Sequence, residues 1–139
     1  MVVLDGASLT IEQVVSVASG RDRVAIADDA VERMLRSRAV VERLASGEEA
    51  VYGVNTGVGL LADVRVAPED LSQLQRNLVR SHSAGVGEPL PAPAVRAMML
   101  IRANVLAKGF SGIRPLVAER LGWLQWASAA AVEVLRSVP

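Results

Sequence analysis

The sequence contains no cysteine and a single histidine, tyrosine and phenylalanine, and its 15 basic residues are balanced by 15 acidic ones. Without cysteine there is no disulfide frame, no thiolate nucleophile and no cysteine-based metal site. One histidine, His82, also excludes a multi-histidine zinc centre, so no metal is expected. A net charge of zero provides no basic field to attract nucleic acid or anionic lipid. No apolar run approaches the roughly 18 residues needed to span a bilayer. The opening Met1-Val2-Val3-Leu4-Asp5 lacks the basic stretch and apolar core of a signal peptide. The expectation is a soluble, cytoplasmic protein with no membrane or nucleic-acid partner.

What is present is aliphatic. Hydrophobic residues make up 51% of the 139 positions, yet aromatics are only 3%, so alanine, valine and leucine carry the apolar content. The low charged fraction, 22%, excludes an intrinsically disordered chain. A length of 139 residues suits one domain, or one segment of a larger one. Small aliphatic side chains favour close helix packing, but so short a chain struggles to bury this much apolar surface alone. A homo-oligomer or a complementing partner segment is therefore expected.

Hydrophobic spacing predicts a mainly helical, all-α bundle with a small strand-bearing N-terminal region. Val2-Val3-Leu4 reads as a short strand ended by the turn dipeptide Asp5-Gly6, and Val24-Ala25-Ile26 as a second one. Thr10, with Gln13 three residues on, marks a capping box opening a helix that stops at Gly20. Asp28 and Asp29 open a longer helix ending at Gly47. Its buried side is read as Val31, Met34, Leu35, Val41 and Leu44, with Glu32, Arg33, Arg36 and Arg38 mostly solvated. Pro68 is expected to start another helix, with Leu71, Leu74 and Leu78 in a stripe that His82 extends. The run Ala94 to Ala107 is apolar on nearly every face and reads as buried on most sides. Pro115 starts a last helix that the tail from Trp126 to Pro139 is able to prolong.

Between the second and third helices, Tyr52-Gly53-Val54-Asn55-Thr56-Gly57-Val58-Gly59 holds three glycines in eight positions, a loop that bends sharply or moves. Gly57 to Ala62 matches G-x-G-x-x-A, but no strand–turn–helix context supports a dinucleotide site, and no Walker sequence occurs. On the residues alone, the loop is a connection. Tyr52 is either a half-buried aromatic with a satisfied hydroxyl or an acid–base group. His82 is either a satisfied core residue or a ligand. Arg102, Asn104 and Lys108 interrupt an apolar helix, so they pair internally or line an interface or cavity.

The Tyr52–Gly59 block closely resembles the tyrosine-loop signature of the histidine and aromatic amino-acid ammonia-lyases. Gln75-Arg76-Asn77-Leu78-Val79, Ser81-His82-Ser83-Ala84-Gly85-Val86-Gly87, Val95 to Leu100 and Arg102 to Pro115 continue the match in family order. The resemblance covers about residues 1 to 125, with a divergent tail over 126–139, and implies one N-terminal ammonia-lyase-like segment over 1–139. It implies elimination of ammonia from an α-amino acid, histidine giving trans-urocanate. The implied proton-transfer group is Tyr52, on a loop formed by Gly53, Asn55, Thr56, Gly57 and Gly59. Ser81 and His82 are implied to contact the substrate side chain, in the histidine-selective version of that dipeptide. The family electrophile is a methylidene-imidazolone formed from an Ala-Ser-Gly in a Gly-x-x-Gly-Ala-Ser-Gly-Asp-Leu stretch. That stretch does not occur among these residues, so no cofactor is expected in this chain and catalysis by it alone is not expected. Ala18-Ser19-Gly20 and Ala45-Ser46-Gly47 lack the glycine-rich flanks. Val58 stands where the family usually has an aromatic. The alternative is a non-catalytic oligomerising or small-molecule-binding module derived from the same family.

Overall fold

The computed structural model describes residues 1–124, which group into two compact units. Among the described residues, one is built from Met1–Arg38 and 87–124, the other from Ala39–Val86. Five α-helices and a two-stranded sheet account for the architecture among the described residues, mainly helical as the spacing predicts.

In the first unit, β1 (Val2–Leu4) and β2 (Val24–Ile26) pair in parallel, with Val2 opposite Val24 and Leu4 opposite Ile26. Parallel neighbours need a crossover, and α1 (Ile11–Ala18) supplies it. The predicted capping box is formed: Thr10 Oγ1 accepts the Gln13 N–H at 3.3 Å, and Gln13 Oε1 accepts the Thr10 N–H at 3.0 Å. In the turn before α1, Asp5 Oδ1 accepts the N–H groups of Ala7 (2.7 Å) and Ser8 (2.8 Å). These bonds, with Ser8 the larger contributor, lower the Asp5 pKa to about 2.

The remaining helices are α2 (Asp28–Ala45), α3 (Leu71–His82), α4 (Ala92–Ala107) and α5 (Pro115–Leu124). The boundary between the units falls within α2. Val2, Leu4, Val17, Ala30, Leu100, Ala103 and Ala107 form one buried cluster, and Met34, Leu106 and Ala118 a second. Three of the first seven are alanines, which lets α2 and α4 approach the sheet closely. The large fully buried side chains Leu4, Met34 and Leu100 each contribute roughly 2 kcal/mol by removal from water.

Several expectations are corrected by packing. On α2 the buried residues are Ala30 and Met34, while Leu35 is exposed; Val31, Val41 and Leu44 are half-buried. Arg33 is not simply solvated. Its guanidinium reaches the Asp5 carbonyl at 2.6 Å and the Asp29 carboxylate at 2.6 Å, because β1 ends against this face of α2. Arg38 likewise donates to the Gly112 carbonyl at 3.5 Å, and Ser37 Oγ accepts the Gly112 N–H at 2.9 Å. Gly109 closes against the same helix. Its φ is +79°, and a Cβ there would stand 2.7 Å from Arg33 Cβ, so only glycine fits.

α4 is apolar all round but is buried on one face only. Leu100, Ala103, Leu106 and Ala107 point inward, and Met98, Ile101 and Val105 form an exposed stripe at i, i+3 and i+7. Of its polar intrusions, Asn104 pairs internally, accepting the Gly6 N–H at 3.1 Å, and Arg102 and Lys108 are exposed. α3 begins at Leu71 rather than Pro68, since residues 68–70 form a turn with Asp70 N–H bonded to the Ala67 carbonyl at 2.9 Å. The expected extension of α5 through Trp126 lies outside the described residues.

Candidate functional site

Every residue the sequence singles out, Tyr52, Gly53, Asn55, Thr56, Gly57, Gly59, Ser81 and His82, belongs to the second unit. The loop bends sharply and is built around a buried amide. Asn55 is 1% exposed, and its side chain serves three backbone groups. Oδ1 accepts the Val51 N–H at 2.7 Å, and Nδ2 donates to the Glu49 carbonyl at 2.9 Å and the Leu44 carbonyl at 3.3 Å. This gives the amide oxygen a donor and uses both amide hydrogens, as a buried polar side chain requires. Its own carbonyl accepts the Val66 N–H at 2.9 Å, and an isolated antiparallel bridge joins Thr56 to Arg65. Thr56, 2% exposed, accepts the Gly53 N–H at 3.2 Å and donates to the Gly57 carbonyl at 2.9 Å.

The consequence is a hydrogen-bonded footing beneath an exposed phenol. Tyr52 is 66% exposed, neither a half-buried aromatic nor a satisfied one, since its hydroxyl makes no hydrogen bond among the described residues. It sits between Val51, held by Asn55, and Gly53, held by Thr56 at a φ of +73°. Gly57 is buried, and a Cβ there would lie 2.5 Å from Leu61 Cβ and 2.9 Å from the Leu61 carbonyl oxygen. The close approach is made by the 3₁₀ turn Gly59–Leu61 that follows. The signal that separates Asn55 and Thr56 from ordinary loop polar residues is their position inside a glycine-spaced turn, where side chains replace missing backbone partners.

Ser81 and His82 occupy the last turn of α3, both exposed, so His82 is not a core residue. Its Nδ1 lies 2.9 Å from the Leu78 carbonyl oxygen and 3.1 Å from Ser81 Oγ, which itself donates to Leu78 O at 3.0 Å. Among the described residues, no hydrogen bond joins this pair to Tyr52. The sequence assigned no role to Arg76, quoted only within a matching block, or to Arg80; they lie one turn apart on α3 and flank, with Ser72, Gln75 and Val79, an open groove of about 380 Å³. The signal was available in the sequence: residues 71–82 hold two arginines and no acid.

Both Ala-Ser-Gly tripeptides are helix ends. Ser19 caps α1, its N–H and hydroxyl both bonded to the Val15 carbonyl, and Gly20 N–H donates to Val17 O. Ser46 is bonded in the same way to Glu42 O, and Gly47 N–H donates to Leu44 O. Cyclisation needs the glycine nitrogen to attack the alanine carbonyl carbon. In both tripeptides that nitrogen is engaged in a helix-terminal hydrogen bond, so neither fits the family's prosthetic group. No group of three or more His, Asp or Glu among the described residues is placed to hold a metal ion, and no described helix is long and apolar enough to cross a membrane.

A fold with this loop and this helix end has clear relatives. The family profile described as aromatic amino acid lyase matches residues 9–132, and the chain belongs to that family. Histidine ammonia-lyase from Anaeromyxobacter sp. (strain K) is 60% identical over 112 residues, covering 81% of this chain and 22% of the relative. Histidine ammonia-lyase from Geobacillus thermodenitrificans (strain NG80-2) is 54% identical over 121 residues, covering 87% of this chain and 24% of the relative. Among solved structures, histidine ammonia-lyase from Trypanosoma cruzi superposes with a TM-score of 0.80 at 39% identity, over 91% of this chain and 24% of that one. Ergothionase from Treponema denticola gives 0.85 at 34% identity, over 90% of this chain and 25% of that one. The chain thus spans about a quarter of the length of the proteins it matches.

Proposed function

We propose that this chain is the tyrosine-loop segment of a histidine ammonia-lyase, which supplies the proton-transfer and side-chain-recognition groups of the elimination of ammonia from L-histidine. The observation that carries the reading is the Asn55-centred knot. A buried amide bonded through its oxygen and both its hydrogens fixes the backbone on either side of an exposed Tyr52 hydroxyl that is unbonded among the described residues, the arrangement of a group kept free to act on something outside the chain. A phenol ordinarily ionises near pH 10, so it serves as an acid or base only once a closed site strips away water and adds an assisting group. Ser81 and His82 contribute recognition of the substrate ring, and Gly53 and Gly59 supply the turns that carry Tyr52.

The electrophile comes from outside these residues, since neither Ala-Ser-Gly here is disposed to cyclise. The reaction therefore requires further polypeptide carrying Gly-Ala-Ser-Gly-Asp, whether continuous with these residues or separate from them. The exposed Met98/Ile101/Val105 stripe on α4 supports association with further polypeptide, either a complementing lyase chain or further copies of this one. The same stripe is what a purely oligomerising module would show.

The experiment is affinity capture of the tagged chain from its source cell, with mass spectrometry of what co-purifies, followed by an L-histidine turnover assay on the recovered complex. A partner bearing Gly-Ala-Ser-Gly-Asp, with urocanate formed by the complex, is the expected result. Recovery of this chain alone as a homo-oligomer without turnover contradicts the proposal and leaves the module reading.

A further inference from the structure

The ring of His82 folds back onto its own helix, and the geometry constrains where its proton sits. Nδ1 is 2.9 Å from the Leu78 carbonyl oxygen, which accepts hydrogen bonds and never donates them. A ring nitrogen at that distance must carry the hydrogen; a bare Nδ1 would set two lone pairs against each other. Ser81 removes the remaining ambiguity. Its hydroxyl is 3.0 Å from Leu78 O and 3.1 Å from Nδ1, and it has one hydrogen. With that hydrogen given to the carbonyl, the Ser81 oxygen is left as an acceptor, matching an Nδ1–H donor and no other form.

We infer that Ser81 is a positioning residue which, together with the Leu78 carbonyl, holds neutral His82 as the Nδ1–H tautomer and leaves Nε2 as a bare acceptor. Free neutral histidine prefers the opposite tautomer, so the helix end reverses the ring's polarity. Resting on the proposed reading that this pair faces the substrate, the tautomer specifies the ligand chemistry. Nε2 is satisfied by a substrate ring that offers an N–H, and an apolar aromatic ring leaves it unpaired.

The test uses the full chain without substrate. His82 is the only histidine, so a long-range ¹H–¹⁵N correlation spectrum contains one ring system and needs no assignment. Under alkaline conditions, with the ring neutral, the expected spectrum has a pyrrole-type Nδ1 and a pyridine-type Nε2. Ser81→Ala shifts the ratio toward the other tautomer roughly fivefold, about 1 kcal/mol for one neutral hydrogen bond. Ser81→Thr, which keeps the γ-hydroxyl, restores it. Ser81 is exposed, so both variants leave the helix packing intact. A pyrrole-type Nε2 in the parent chain overturns the tautomer, and a Ser81→Ala spectrum identical to the parent overturns the role of Ser81. Because no substrate is present, either result is independent of turnover. A complex without lyase activity whose His82 remains Nδ1–H refutes the functional reading alone.

Discussion

Replacing Asn55 by aspartate changes one nitrogen to one oxygen, yet the structure makes it more damaging than truncation to alanine. The side chain accepts from Val51 and donates to the carbonyls of Glu49 and Leu44. Asn55→Ala deletes all three bonds. Val51 and Leu44 are half-buried and Glu49 is exposed, so water reaches some of the orphaned groups and the loss is about 2 kcal/mol rather than the sum of three full penalties. Asn55→Asp keeps the acceptor for Val51 but points carboxylate oxygen at two carbonyl oxygens from a position 1% exposed, adding charge burial to lost donors. Its expected cost is about 3 kcal/mol or more near neutral pH. The appropriate assay is native-state hydrogen exchange at the Val51, Gly53 and Val66 amides, which report this loop directly. A loss of 2 kcal/mol appears there as roughly thirtyfold faster exchange. Exchange in Asn55→Asp equal to that of the parent chain would refute the claim that the amide organises the loop.

Other perturbations separate backbone from packing and electrostatic effects. Gly59 and Gly109 both have positive φ, but a Cβ meets open space at Gly59 and the Arg33 backbone and Cβ at Gly109. Gly59→Ala is expected to cost about 1 kcal/mol and Gly109→Ala at least about 3 kcal/mol, read from urea midpoints; equal costs would contradict the packing at Arg33. The depressed Asp5 pKa makes a pH prediction. Because the folded carboxyl ionises more readily than the unfolded one, its contribution is fully present above about pH 4 and is lost as pH falls toward about 2. Asp5→Asn should flatten the acid limb of a thermal-stability profile in that window, and an unchanged limb would show that the turn is not held by charge.

Local features were legible in the sequence because their causes are local. The Thr10–Gln13 capping box, both strands and the start of α2 at Asp28 follow from residues within a turn of each other. The parallel pairing of Val2 with Val24 was hidden, since period-2 alternation in three-residue strands says nothing about partners. Arg33 reads as solvated on a helical wheel, and only the arrival of the β1 end gives its guanidinium a carbonyl to bind. The uniform hydrophobicity of α4 suggested burial on most sides, but which side meets a neighbour is decided by the neighbours. For the candidate site, the glycine spacing marked the loop and the family resemblance marked Tyr52 and His82. Residue spacing alone did not reveal that Asn55 carries the loop's polar economy or that His82 is exposed, because both depend on where Leu44, Glu49 and Leu78 carbonyls finish.

The central claim, that this chain lends Tyr52 to a lyase site, is tested most directly by Tyr52→Phe in the complex captured with its electrophile-bearing partner. Tyr52 is exposed and its hydroxyl is unbonded among the described residues, so the change should leave the thermal unfolding of the chain within about 0.5 kcal/mol. Urocanate formation from L-histidine should fall by at least about a hundredfold, the lower range for losing a positioned acid–base group. Turnover preserved in the folded variant would contradict the account and remove Tyr52 from the reaction.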